Sequence, residues 1–227
     1  MRIKESAKEF GKTKSLVAMA MLLALRLALG YVTNIQLTES IKIGFTIFPT
    51  TVACMMFGPM PGLVMGGVAD LIGFFLKPTG PFFPGYTLDS MVAGFIYGCF
   101  FYRREKLTIW RVMAALATVT VVVNLCMTTS WISIQYGVKD FGLFFRDTGA
   151  AWESFRLKFA AIFSGRFIKN AIMYPINVLG VSLILFAVRS IPLMRPYIYG
   201  EKKTAVTDSR RVTSKEKADE SRAEEVK

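Results

Sequence analysis

Four ionisable side chains lie inside the long apolar stretches of this chain: Arg26, Asp70, Arg166 and Lys169. A charge in hydrocarbon costs roughly 2.5–3.5 kcal/mol on insertion scales, so such residues face a cavity, a partner or a ligand. Three are cations and one is an anion, and if Asp70 neutralises one cation a surplus of about two positive charges remains. That surplus points to a membrane protein holding an anionic small molecule. Arg166-Phe-Ile-Lys169-Asn170, with Met173 and Asn177 beyond, keeps its polar members on one helical face. Arg166 suits bidentate binding of a carboxylate and Lys169 supplies a point charge. Asn170 and Asn177 offer donors and acceptors for a heterocycle edge. The competing reading of this stripe is an ion pair with Asp70, or snorkelling to the membrane surface.

Arg26 has a second neighbour pattern. Ala20, Ala24 and Ala28 recur every four residues and form a small-residue ridge, while Arg26 points to nearly the opposite face. Such a ridge lets another helix approach closely. With Arg26 turned inward, the ridge faces a separate subunit. Gly62-x3-Gly66 and Gly94-x3-Gly98 have the same spacing without an opposed charge and read as internal packing. The segment Phe82-Phe83-Pro84-Gly85-Tyr86-Thr87 closes a Pro- and Gly-rich loop. It reads as a gate whose aromatics cover a flat ring, or as an interfacial aromatic belt.

Six apolar stretches must position these groups: about Leu16–Ile35, Ile43–Phe57, Leu63–Leu76, Leu88–Tyr102, Ile109–Tyr136 and Phe159–Ile191, the last with a kink expected at Pro175. Gly58-Pro59-Met60-Pro61-Gly62 is expected as a tight turn, and Lys77 through Gly85 as a non-helical loop. An amphipathic connection, Gly137–Lys158, precedes the last stretch. The fold class is therefore an all-α integral membrane protein, a bundle of six transmembrane helices. Lys and Arg cluster at the N-terminus, at Arg103-Arg104-Glu105-Lys106 with Arg111, and in the C-terminal tail. The positive-inside rule then makes both termini cytoplasmic and puts the loop at Lys77/Asp89 outside. Three regions follow: a basic cytoplasmic N-terminus (1–15), a six-helix substrate-binding domain (16–195) and a disordered charged tail (196–227).

Net charge is +12 over 227 residues, 53% of them hydrophobic. The basic residues sit at helix ends rather than in one soluble patch, which argues against nucleic acid. Histidine is absent and Cys54, Cys99 and Cys126 are far apart, so a metal site or a disulfide framework is not expected. No Walker A sequence, paired carboxylates or Gly-x-Ser-x-Gly elbow is present. The chain reads as a non-enzyme without a cofactor, and if it drives uptake the energy comes from elsewhere.

Several of these segments together resemble a known family. Ala20-x3-Ala24, Ile41-Lys-Ile-Gly-Phe-Thr-Ile-Phe-Pro49, Phe57-Gly-Pro, Asp70-Leu-Ile-Gly-Phe, Phe83-Pro-Gly-Tyr-Thr-Leu and Arg166-Phe-Ile-Lys-Asn170 with Pro175 stand in this order. They resemble the substrate-binding S-components of energy-coupling-factor vitamin transporters, most closely the folate-specific branch, from about Ala18 to Ile191. The resemblance implies capture of the vitamin outside a bacterial cell, and docking on a transmembrane T-component with two cytoplasmic ATPases. The ridge Ala20, Ala24, Ala28 would form part of the docking face. It places Arg26, Asp70, Phe83, Pro84, Gly85, Tyr86, Arg166, Lys169 and Asn170 at the ligand. Folate, with two carboxylates and a pterin edge, fits the charge surplus better than riboflavin or thiamine. Another vitamin such as biotin, or a membrane scaffold without transport, are the alternatives.

Overall fold

The computed structural model describes residues 6–7, 9–32, 35–38, 41–43, 45–76, 82–102, 108–137, 148–191 and 194. Helix α1 (Thr13–Val32) has 20 residues, about 30 Å at 1.5 Å per residue, which matches a bilayer's hydrocarbon core. A short hairpin follows, β1 (Ile35–Thr38) against β2 (Ile41–Ile43), antiparallel with Ile35 opposite Ile43 and Gln36 opposite Lys42. The purely helical expectation did not include it, and Ile43, expected to open the second span, is a strand residue. Ile-Gln-Leu-Thr and Ile-Lys-Ile alternate with a period of two, a signal that a search for long apolar runs passes over.

Helix α2 (Ile47–Phe57) has 11 residues and at about 16 Å reaches roughly half-way across a bilayer core. Gly58 turns the chain at φ 95°, a left-handed conformation that favours glycine. Helix α3 (Pro59–Leu76) starts at the next residue. The expected five-residue turn is thus Gly58 alone. Pro59 and Pro61 lie in the first helical turn, where a missing N–H leaves no bond unmade. Ser6 seals this joint: its hydroxyl donates to the Phe57 carbonyl at 2.9 Å and accepts from the Met60 N–H at 3.2 Å.

Helix α4 (Pro84–Phe101) begins with proline at its first position, so Pro84, Gly85 and Tyr86 are helical rather than part of a loop. Residues 77–81 of that expected loop lie outside the described residues. Helix α5 runs Ile109–Val119, continues as a π-helix over Thr120–Met127 and returns to α geometry over Thr128–Gly137. Helix α6 (Thr148–Ser190) spans 43 residues with Pro175 inside it, beginning upstream of the expected Phe159. The charged tail lies outside the described residues.

The short α2 sits at the centre, with Pro49 through Phe57 all buried. Around it the core gathers Phe101, Val112, Ala115, Val181 and Leu185, each fully buried or nearly so. The outer faces are apolar and exposed, as at Met21 (70%), Phe75 (81%) and Leu183 (74%), which suits lipid rather than water. Among the described residues, four segments are long and apolar enough to cross a membrane: Thr13–Tyr31, Pro59–Leu76, Ile109–Ser133 and Ile162–Ser190. In α4, Thr87, Asp89 and Ser90 interrupt the apolar run.

Helices α3 and α4 meet along an antiparallel seam of small residues. Pro59 faces Gly98, Gly62 faces Gly94, and Gly66 faces the Ser90 backbone. A Cβ on Gly62 would stand 2.6 Å from the Gly94 carbonyl oxygen, closer than side-chain carbons are found. The two glycine pairs are therefore internal packing, and the absence of their side chains sets the helix separation. Alanine favours a helix over glycine by about 1 kcal/mol, yet Gly94→Ala is expected to destabilise the protein by about 2 kcal/mol through overpacking. Denaturation in detergent micelles measures this, and an alanine variant as stable as wild type would show that the seam has slack.

Candidate functional site

Beyond the last glycine contact, the seam ends in a polar one. Thr87 Oγ1 donates to Asp70 Oδ2 at 2.8 Å, and Ser90 Oγ donates to Asp70 Oδ1 at 3.4 Å. From there α1, α3 and the start of α4 diverge around a cavity of about 380 Å³, within the range of small-molecule sites. Its walls are Arg26, Leu27, Gly30 and Tyr31 of α1, Thr46 before α2, Ala69, Asp70, Gly73, Phe74 and Leu76 of α3, and Phe82 and Tyr86 at the α4 entrance. Phe74 and Phe82 meet edge to face at 5.1 Å.

Arg26 is the polar group of this cavity that lacks an answer. Its Nη1 is buried with no hydrogen-bond partner among the described residues. Asp70 is in electrostatic reach of it, but the carboxylate oxygens are engaged by hydroxyl donors. A buried guanidinium nitrogen with no acceptor costs free energy comparable to a lost charged hydrogen bond, about 1–3 kcal/mol or more. The arrangement is chemically competent to bind an anion: a fixed fork of donors, an apolar and aromatic surround, and a wall that water leaves when a ligand enters.

Arg166 is placed differently. Its Nη1 donates to the Asn124 backbone carbonyl at 3.0 Å. Asn124 lies in the π-helical stretch of α5, where wider turns loosen the usual i→i−4 pairing and leave carbonyls for other donors. The Thr129 hydroxyl also donates into this stretch, to the Asn124 carbonyl, while the Val123 carbonyl, 2.9 Å from Thr128 Oγ1, competes with Asp89 for that hydroxyl's single proton. Arg166 is within electrostatic reach of Tyr86 and Asp89, and Tyr86 lines the cavity. Arg166, Lys169 and Asn170 are half-buried, Met173 is buried, and the intervening Phe167, Ile168 and Ile172 are exposed. The polar stripe of α6 thus faces the protein, although these three residues are not part of the 380 Å³ cavity wall.

Of the expected gate, Tyr86 lines the cavity while Phe83 turns toward α5, with its ring 5.7 Å from Tyr86 and 5.6 Å from Trp131. Pro84 is exposed and Gly85 is buried against the Phe83 and Trp131 rings. Ala20, Ala24 and Ala28 are exposed on the side of α1 away from Arg26. Asp89 corrects the charge reading. Expected in an outer loop, it is 6% exposed within α4, accepting from Thr128 Oγ1 at 2.6 Å and from the Trp131 indole N–H at 3.0 Å. Counting Arg26, Arg166 and Lys169 against Asp70 and Asp89 lowers the embedded surplus from two positive charges to one. A position one residue inside an apolar stretch was the available signal for Asp89. Trp131, Thr128 and Asn124 had none, since only the packing of α5 on α4 and α6 brings them in.

Residues 14–185 match the family described as ECF transporter, substrate-specific component. The chain belongs to this family. Members are transport components that bind substrate rather than enzymes, and with its apolar helices the protein is a multi-pass cell-membrane protein. Similar proteins include the folate transporter FolT of Clostridium novyi (strain NT), 35% identical over 166 residues, 73% of this chain and 84% of that protein. The folate transporter FolT of Leuconostoc mesenteroides is 29% identical over 76% of this chain and 84% of its own length. A solved structure described as FolT bound with folic acid is 34% identical, with a TM-score of 0.59, covering 74% of this chain and 89% of that one. The family match, residues 14–185, spans the helices that build the cavity.

Replacing Thr87 by valine keeps the shape and removes the donor to Asp70. Thr87→Val is expected to destabilise by about 1 kcal/mol, because a part-buried carboxylate oxygen loses its donor. Denaturation in micelles reads the effect; a change below a few tenths would place water, not Thr87, on Asp70.

Proposed function

We propose that this chain is the folate-binding S-component of an energy-coupling-factor importer. The observation that carries the reading is the unpartnered Arg26 nitrogen in the wall of a 380 Å³ cavity. A folate carboxylate supplies the missing acceptor, and the aromatic rings at the α4 entrance, Phe82 and Tyr86, suit a flat heterocycle. Asp70 and Asp89 accept from hydroxyl and indole donors, so Arg26 keeps its charge-assisted bonds for the ligand. Arg166, Lys169 and Asn170 form the second cationic group, approached through Tyr86, and Phe83, Pro84 and Gly85 fix the entrance. The similarity to folate transporters, one of them solved with folic acid, supports this choice of ligand.

All six helices cross or enter the bilayer, with both termini in the cytoplasm, following the Lys/Arg distribution. The cavity lies at the C-terminal end of α1 and therefore opens outward. The exposed ridge Ala20, Ala24, Ala28 docks on a T-component, which couples the protein to two cytoplasmic ATPases. A specific observation favours one second reading: a surplus of one embedded positive charge also matches a monocarboxylate such as biotin. A thermal-shift panel of vitamins separates the two.

Two outcomes are expected. Arg26→Met should weaken folate binding by about 30-fold or more, since one partner of a buried charged pair is lost. It should also leave the ligand-free protein as stable as wild type or more so, because an unpaired buried charge is removed. Isothermal titration and micelle denaturation measure these, and unchanged affinity would sink the assignment. Ala24→Trp should leave folate affinity within about twofold, as a surface change, while abolishing co-purification with the T-component and ATPases. Retained co-purification would move the docking face elsewhere.

A further inference from the structure

Asp89 is the embedded acid that the proposed site leaves without a direct role. It is 6% exposed, and its two oxygens are engaged separately. Oδ1 accepts the Trp131 indole N–H at 3.0 Å and Oδ2 accepts the Thr128 hydroxyl at 2.6 Å. Both partners belong to the α-helical turns that follow the π stretch of α5. Phe83 is the extended residue that precedes α4, and Tyr86 and Asp89 follow it within the first two turns of the helix. From Trp131 the rings continue to Phe83 at 5.6 Å and from Phe83 to Tyr86 at 5.7 Å, and Tyr86 is cavity wall. The seat has no slack: a Cβ on Gly85 would stand 2.7 Å from the Trp131 ring.

We propose that Asp89 is a positioning residue: by holding the Trp131 indole and the Thr128 hydroxyl, it fixes the Phe83 ring and, through it, the Tyr86 wall of the cavity, and thereby sets ligand affinity. An indole has a single donor and no acceptor, so its orientation follows the acceptor offered to it. Without Asp89 that N–H loses its acceptor, Trp131 turns, and the rings packed on it shift. The competing role is a counter-charge for Arg166. Arg166 Nη1, however, donates to the Asn124 carbonyl. The affinity part of this proposal rests on the folate reading of the cavity.

The test compares Asp89→Asn, Asp89→Leu and Trp131→Phe by folate titration. Asparagine keeps a carbonyl for the indole and removes the charge, so Asp89→Asn should bind within about threefold of wild type. Asp89→Leu and Trp131→Phe should each lose about tenfold, and the double variant no more than either alone, because both act through one contact. Asparagine as weak as leucine would make Asp89 a counter-charge, and additive losses would separate it from Trp131; either overturns the proposal. If Asp89→Leu does not accumulate in the membrane, Asp89→Asn with and without Trp131→Phe carries the comparison. A readout without ligand is the emission of Trp131 in a Trp110→Phe, Trp152→Phe background, since the chain has three tryptophans. It should shift in Asp89→Leu and stay fixed in Asp89→Asn; no shift overturns the positioning claim. Wild-type protein that does not bind folate would end the folate reading, and the emission then decides the placement of Trp131 alone.

Discussion

A guanidinium inside an apolar bundle is unstable by several kcal/mol unless something answers its charge and its donors. Around Arg26 the described residues do not supply that answer: Nη1 is buried with no partner among them, while the nearby Asp70 accepts from Thr87 and Ser90. Much of the structure follows from keeping that group both buried and available. The helices must leave a space beside it, hold the acid close enough to moderate the charge, and withhold the acid's oxygens from a full ion pair. A closed Arg26–Asp70 pair would be the more stable ligand-free protein and the poorer binder.

The seam between α3 and α4 shows how the space arises. Its contacts run Pro59–Gly98, Gly62–Gly94 and Gly66–Ser90, then pass to the Asp70–Thr87 hydrogen bond. Where side chains are absent the helices touch through their backbones. Where Asp70 and Thr87 replace them, polar groups fill the gap, and from Ala69 and Asp70 onward the cavity opens toward Gly73 and Phe74. Tight packing at one end and divergence at the other are thus a single gradient of side-chain size along two antiparallel helices. The left-handed Gly58 and the hydroxyl of Ser6 clamp the tight end.

On the far side of α4, the π stretch of α5 performs a related service. Its loosened turns leave the Asn124 carbonyl for Arg166 and place Thr128 and Trp131 against Asp89. Both embedded acids are therefore answered mainly by neutral donors. Arg166 is answered by a backbone dipole, a weaker partner than a carboxylate and one that a stronger anion can outcompete. Tyr86 links the two cationic groups: it lines the cavity with Arg26 and lies within electrostatic reach of Arg166.

Hydropathy and spacing along the chain were enough to find the apolar helices, the embedded Arg26, Asp70, Arg166 and Lys169, the inward stripe of α6 and the resemblance to S-components. These are local properties: each depends on a residue and its neighbours within a turn or two. The pairing of Ile35–Thr38 with Ile41–Ile43 is local too, but each strand is far shorter than the apolar runs that mark a span. Which cation lines the cavity, how Asp89 is engaged, and why Phe82 and Tyr86 face the space while Phe83 faces Trp131 were settled by packing alone. They depend on crossing distances and on the register of α4 against α3 and α5, and those are fixed by contacts between residues 17 to 42 positions apart. A helix with a polar face announces that something must meet that face, but the partner is chosen by whichever helix the small residues allow to come close.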